Sequence, residues 1–301
     1  MGELGGMVAA ILSSGLGGTS IGATRYLTLV LDPLAIGSFR FVIGFALLLP
    51  IAVLRGGPWP DRSGWPAIAG LGLLFFFLFP ILFNAALIFT TAARGALALS
   101  TLPLLTMAAG AVLGTEALTG RKLLGVGIAM GGVALALLSG LAAAPEGAWR
   151  GDLLMVLAAF CMALYGVWSK PFIRRAGPIP FTVLAMGAGA PCLTLVALVR
   201  GSFAPVAHFA PPQWLAAAYL GAFGGALTFY LWALALERTT PTRVAVSVTV
   251  NPISAALTGA LLLGEPLHWH LAVGIVAVFG GIVIAMLDPR SPPPSAPRRP
   301  A

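Results

Sequence analysis

The stretch RVAVSVTVNPISAALTGALLLGEPLHWHLAVGIVAVFGGIVIAML, from Arg243 to Leu287, decides how the chain is read. It has two apolar runs, the first holding Asn251-Pro252 and the second Gly280-Gly281, joined by Gly264-Glu265-Pro266-Leu267. The chain contains nearly the same pattern once more, from Arg94 to Leu138. Arg94, Ala96, Pro103, Gly110, Ala111, Leu113, Glu116, Leu118, Gly125, Gly131 and Gly132 recur as Arg243, Ala245, Pro252, Gly259, Ala260, Leu262, Glu265, Leu267, Gly274, Gly280 and Gly281. The separation is 149 residues throughout, as from Glu116 to Glu265. Shared apolar composition does not keep prolines, glycines and lone charges in step, so the sequence is two copies of one unit.

Of the 301 residues, 59% are hydrophobic and 9% charged, with a mean hydropathy of +0.99. Soluble domains carry about 25% charged residues, so this composition cannot clothe a surface in water. The lipid bilayer is the expected solvent. Apolar segments of about 20 residues span it as helices, which satisfy their own backbone groups. Ten such segments fit, at 5–24, 33–54, 66–89, 94–114, 121–140, 151–173, 179–199, 212–237, 243–264 and 269–287. The expected fold is therefore an all-α integral membrane protein of ten transmembrane helices. Its repeats are 5–140 and 151–287, followed by a basic, Pro-rich tail at 288–301 expected to be disordered. An odd number of helices per copy inserts the second copy upside down. Such inverted repeats are a plan of secondary transporters, with the cargo site near the midplane between the copies.

The net charge of +8 reads as a topology signal rather than a nucleic-acid surface. With the N-terminus inside, twelve basic residues fall in inner loops and the tail, against Arg25, Arg94, Arg150 and Arg200 outside. That positive-inside bias puts both termini in the cytoplasm and the protein in the cell inner membrane. No basic region precedes the first apolar run, as a cleavable signal would require. Cys161 and Cys192 fall in apolar segments and imply no disulfide framework.

Polar and aromatic stripes supply the candidate site. Ser13, Gly17, Ser20 and Thr24 lie on one face of the first helix. Cys161, Tyr165, Trp168 and Phe172 occupy the matching face of the sixth. Ser247, Asn251, Ser254 and Thr258 share a face of the ninth, with Asn251 at mid-span. Unpaired polar groups are costly in hydrocarbon, so that face should meet water, cargo or another helix. Phe79, Phe83 and Asn84 group on the third helix, and Phe229 and Trp232 on the eighth. The candidate substrate-binding set is Ser13, Gly17, Ser20, Phe79, Phe83, Asn84, Tyr165, Trp168, Phe229, Trp232, Ser247 and Asn251. Helix packing explains such stripes equally well. Pro103 and Pro252 each open a backbone bond of their helix and are candidate hinges, or static kinks. The Gly127-Gly131 step and the paired glycines favour close helix contact, within the fold or between protomers, so the oligomeric state stays open.

Much chemistry is missing from the spans. The nine carboxylates fall at helix ends or outside, and the three histidines in loops. No phosphate-binding glycine loop, metal-ligand cluster or nucleophile with a base can be assembled. An enzyme, a cofactor and a metal are therefore not expected. Arg40, two turns into the second helix, is the exception. It is expected to snorkel toward Asp32; the alternative is that it meets a cargo carboxylate.

The run Tyr230-Leu231-Trp232-Ala233-Leu234-Ala235-Leu236-Glu237-Arg238-Thr239-Thr240, continuing through Arg243, Asn251-Pro252, Gly264-Glu265 and Gly280-Gly281, resembles the second half of an EamA-type protein of the drug/metabolite transporter superfamily. Arg94, Pro103, Gly114-Thr115-Glu116 and Gly131-Gly132 resemble the first half. The resemblance spans about 5 to 287. It implies a central cavity lined by helices one, three, four, six, eight and nine, and a small-molecule cargo, amino acids prominent among such cargoes. The aromatic amino-acid exporter branch suits the stripes on helices three, six and eight. Four-helix multidrug exporters of the superfamily exchange protons through a first-helix glutamate. Serines and glycines stand here instead, which favours a neutral or zwitterionic cargo. The expected function is thus export of small metabolites, aromatic or other hydrophobic amino acids first, by alternating access. The alternative is a receptor or scaffold of the same fold that moves nothing, or a carrier for another metabolite class.

Overall fold

A computed structural model of the chain describes residues 2–55, 58–115, 119–139, 145–266 and 269–286. Glu116 and the tail at 288–301 lie outside the described residues. The described chain is helical throughout, in ten main segments. They are α1 (Glu3–Leu27), α2 (Pro33–Leu54), α3 (Arg62–Phe89), α4 (Ala92–Val112), α5 (Gly120–Ser139), α6 (Ala148–Ala176), α7 (Pro178–Val199), α8 (Pro211–Arg238), α9 (Pro241–Leu263) and α10 (Trp269–Met286). Eight are long and apolar enough to cross a bilayer; within α5 and α10 the apolar runs are shorter.

Local chemistry sets the segment ends in matched pairs. Thr91 and Thr240, 149 residues apart, cap α4 and α9 by accepting the backbone N–H of Arg94 and Arg243 at 3.3 and 3.4 Å. Gly114 and Gly264 follow those segments at φ of 65° and 64°, a left-handed turn that glycine adopts without penalty. Asp32 caps α2 by accepting Leu34 N–H at 2.9 Å.

Packing obeys the repeat. α1 lies against α8 and α9, and its counterpart α6 against α3 and α4. α2 packs on α7 and α5 on α10, each helix on its own counterpart, while α2 also meets α8 as α7 meets α3. Contacts at the helix ends fix polarity. The end of α1 reaches the end of α3, where Arg25 Nη1 donates to Leu87 O at 2.9 Å. The start of α6 meets the same end of α3, since Gly151 abuts Ala86 O and Thr90. At the opposite end of the molecule Gly5 and Gly6 of α1 touch Arg238, and Lys170 of α6 donates to Thr239 O. α1 and α6 therefore run antiparallel, as inverted repeats require.

The glycines of the paired patterns behave unequally. Gly132 sits against Ala277 of α10, whereas Gly127, Gly131 and Gly280 face open space. The expected tight contact at the Gly127-Gly131 step is therefore not made within the described residues. Contact between α5 and α10 runs through Gly132 instead.

Candidate functional site

A narrow cavity of about 30 Å³ lies between the repeats. α1 supplies Ser13, Ser14, Gly17 and Ile21, and α3 supplies Phe79 and Phe83. α8 supplies Thr228, Phe229 and Trp232, and α9 Val248 and Asn251, with Arg40, Leu99 and Met162 completing the wall. These are the six helices the resemblance implied, with α2 added through Arg40.

Backbone irregularities shape this wall. α3 has a π-helical stretch at Leu73–Leu78 and α8 one at Leu220–Leu227. Such stretches displace side chains from α-helical register and recur at functional sites. In α4 the helix breaks at Ser100 and Thr101 and resumes at Leu102; α9 passes through a 3-10 turn at Val248–Val250 before Asn251. The cause is the same in both. Pro103 and Pro252 have no N–H to offer the carbonyls of Leu99 and Val248, four residues back. Leu99 and Val248, themselves 149 residues apart, both line the cavity.

Seven of the twelve candidate residues meet there: Ser13, Gly17, Phe79, Phe83, Phe229, Trp232 and Asn251. Ser13 Oγ donates to Thr228 O at 2.8 Å, pinning α1 to α8. Asn251 is 4% exposed, and its Oδ1 is buried without a hydrogen-bond partner; so is Trp232 Nε1. The Asn251 amide rests on Gly17, where a Cβ would meet it at 3.4 Å. An acceptor and an indole donor, both unsatisfied, thus border an aromatic-walled space.

The other five lie elsewhere. Ser20 bonds to Leu16 O at 2.7 Å within its own helix and packs on Gly224. Ser247 interlocks with Ser14 and with Ala10 O, at 2.8 and 3.0 Å, bolting α9 to α1. Asn84 Nδ2 donates to Pro33 O at 2.9 Å and ties α3 to the start of α2. Tyr165 is buried behind the cavity, stacked on Phe75 at 4.2 Å between ring centroids. Trp168 is 42% exposed and lines an outer groove with Phe172 and Leu74. The sixth-helix stripe leaves the core as it ascends, so its upper members face outward. On α9, Ser254 and Thr258 pack on Gly18 and Gly22 of α1, which leaves Asn251 as the member of that stripe facing the cavity.

Arg40 corrects an expectation. It does not snorkel toward Asp32, whose side chain caps α2. It is 4% exposed, donates from Nε to Gly224 O at 3.0 Å, and lies 5.4–5.7 Å from the ring centroids of Phe41, Phe83 and Phe229. Its inward course follows from the π stretch of α8, which contains Gly224, and from the aromatic faces that cover the cation. The sequence offered a signal for it, a lone charge in an apolar run. Leu99 and Val248 had one too, four residues before paired prolines.

The sequence model of the EamA-like transporter family matches residues 4–138 and 149–287. The chain belongs to that family. The uncharacterized protein PA1977 of Pseudomonas aeruginosa is 33% identical over 261 residues, 86% of each chain. An uncharacterized transporter of Bacillus subtilis, YyaM, is 24% identical over 89% of each chain. A protein of Streptantibioticus cattleyicolor named as a probable terminal-alkyne amino-acid exporter is 27% identical, over 78% of this chain and 76% of its own. One crystal structure, 24% identical, superposes over 95% of both chains with a TM-score of 0.69 and shares the fold. An EamA-like protein is a multi-pass membrane transporter of small molecules.

Proposed function

We propose that this transporter exports amino acids with aromatic or other apolar side chains, by alternating access through the inter-repeat cavity. The observation that carries this reading is the wall itself. Phe79, Phe83, Phe229 and Trp232 present rings to a space that also holds the unpartnered Oδ1 of Asn251. Rings hold an apolar side chain; the amide oxygen accepts from the ammonium group. The name of the Streptantibioticus relative points to the same cargo class. The cavity is slender, so cargo enters only when the rings turn or the repeats part, which is the motion alternating access supplies. The distribution of basic residues supports termini on the cytoplasmic face of the inner membrane.

The test is flux of labelled phenylalanine and leucine from loaded proteoliposomes. Asn251→Leu and Phe229→Ala should each slow export about tenfold or more, the value of one lost charged hydrogen bond or one lost ring contact. Wild-type rates and affinities in both variants would remove the site, and no flux in the wild type would favour the scaffold reading.

A further inference from the structure

We propose that Arg40 is the receptor for a carboxylate on the cargo, so that this cavity selects amphiphilic monocarboxylates. The inference rests on the reading of the cavity as the cargo site and adds the charge it recognises.

Arg40 is a full charge buried at depth in a membrane protein, where ionisable groups are costly and mark function. Its hydrogen bond among the described residues is the one from Nε to Gly224 O. The ion pairs of the described residues join Arg25 to Glu265, Arg94 to Asp152 and Arg243 to Glu3, and none includes Arg40. Both terminal nitrogens are thus without a carboxylate among the described residues, on a side chain that borders the cavity. The Nε bond fixes the plane of the guanidinium. The rings of Phe83 and Phe229 flank it and repel water. What remains is the end-on fork that matches the two oxygens of a carboxylate.

The second repeat shows that packing does not demand this arginine. Arg40 O lies 2.2 Å from a Cβ built on Gly225, and Ala185 O lies 2.1 Å from one built on Gly72. Gly44 and Gly189, each four residues further on, make the companion contacts with Gly225 and Gly72. Arg40 and Ala185 therefore occupy equivalent places in the two crossings. One crossing closes with a methyl group, the other bears a cation turned to the cavity. The charge is an addition to the fold.

Asn251 stands in register with it. The Asn251 amide rests on Gly17 of α1, and Arg40 Nε and Ser20 both abut Gly224. Positions 17 and 20 are about 4.5 Å apart along a helix axis, a spacing that the ammonium and carboxylate of one α-amino acid can bridge. The apolar tail then lies among Phe79, Phe83 and Phe229.

The experiment is calorimetric titration of purified wild-type protein in lipid nanodiscs with 3-phenylpropionate, 3-phenylpropionamide, phenylalanine and phenethylamine. The two acids should bind about 10–100-fold more tightly than the amide and the amine, as expected for loss of a bidentate charged pair. Arg40→Gln should abolish that preference, and Arg40→Lys should reduce it, since a point charge cannot keep both the Gly224 bond and the fork. Equal binding of acid and amide, or no binding of either acid, overturns the proposal, and so does a folded Arg40→Gln that keeps the preference. If Arg40→Gln does not fold, the wild-type acid–amide comparison decides alone. Amino-acid flux without acid preference sinks the role of Arg40 and leaves the exporter reading intact. Acid preference without amino-acid flux sinks the exporter reading and leaves Arg40 as a carboxylate receptor.

Discussion

At the scale of single residues, stability and transport should separate. A buried acceptor with no partner costs about 1–3 kcal/mol, and Asn251 Oδ1 is such an acceptor. Asn251→Leu should therefore leave thermal stability unchanged or raise it while export falls. A residue kept for packing would lose both together, and a fall in melting temperature that tracks the loss of flux would place Asn251 among the packing residues. Trp168→Ala gives the contrasting expectation. Trp168 lies in an outer groove, so its loss should leave export at wild-type rates; a tenfold loss would bring α6 back into the site. The spacing from Cys161 to Phe172 identified a shared face but not how far along α6 that face stays in the core. Arg40 was misread for a related reason. Its distance from Asp32 could be estimated along the helix, whereas the Gly224 carbonyl that accepts from Arg40 lies on another helix and belongs to tertiary structure.

At the scale of elements, the contact between α1 and α9 is made by glycine. A Cβ at Gly18 would meet Asn251 O at 2.5 Å and Ser254 Cβ at 2.6 Å, and one at Gly15 would meet nothing within 4 Å. Gly18→Val should thus destabilise the protein by about 1–3 kcal/mol through overpacking. Gly15→Ala should be neutral or slightly stabilising, because alanine is the better helix former. Equal thermal stability in the two variants would show that the two helices part freely there. The prolines permit a second expectation. Pro252→Ala returns an N–H to the turn at Val248–Val250; stability should hold or rise, and export should slow severalfold if the break serves as a hinge. Unchanged flux would make it a static kink. The breaks themselves were legible in the sequence, since Pro103 and Pro252 stand in matched places. The π stretches at Leu73–Leu78 and Leu220–Leu227 were not, because nothing in either run forbids an ordinary α-helix.

At the scale of the whole molecule, the twofold plan was readable because helix count and repeat spacing fix it; the inequality of the two ends was not, because it depends on which charges meet. Glu3 and Asp152 are 149 residues apart, as are Arg94 and Arg243. The pairs Arg243–Glu3 and Arg94–Asp152 are thus one inter-repeat latch made twice, at opposite ends. They differ in strength. Arg94 and Asp152 have side chains 9% and 18% exposed and form a two-pronged bond at 2.6 and 3.1 Å, whereas Glu3 is 60% exposed, where ion pairs are weak. The Arg94 end has a further tie. Glu265 accepts from Arg25 at 3.5 Å and from Ala92 N–H at 3.0 Å. The counterpart of Ala92 is Pro241, which has no N–H to give. Among the described residues the ion pairing is therefore weaker at the end near the termini, where Lys170 donating to Thr239 O is the further tie. In a background without Cys161 and Cys192, a cysteine placed at Val248 should react faster with a membrane-impermeant thiol reagent added from the terminus side. Glu265→Gln, which weakens the tie without adding bulk, should raise labelling from the opposite side. Asp152→Asn should do so more strongly, by breaking a charged bond worth about 1.5–3 kcal/mol. Glu3→Gln should change labelling from either side little. Equal rates from both sides in the unmodified background, unmoved by Asp152→Asn, would mean that these pairs hold the fold together and do not set which end opens.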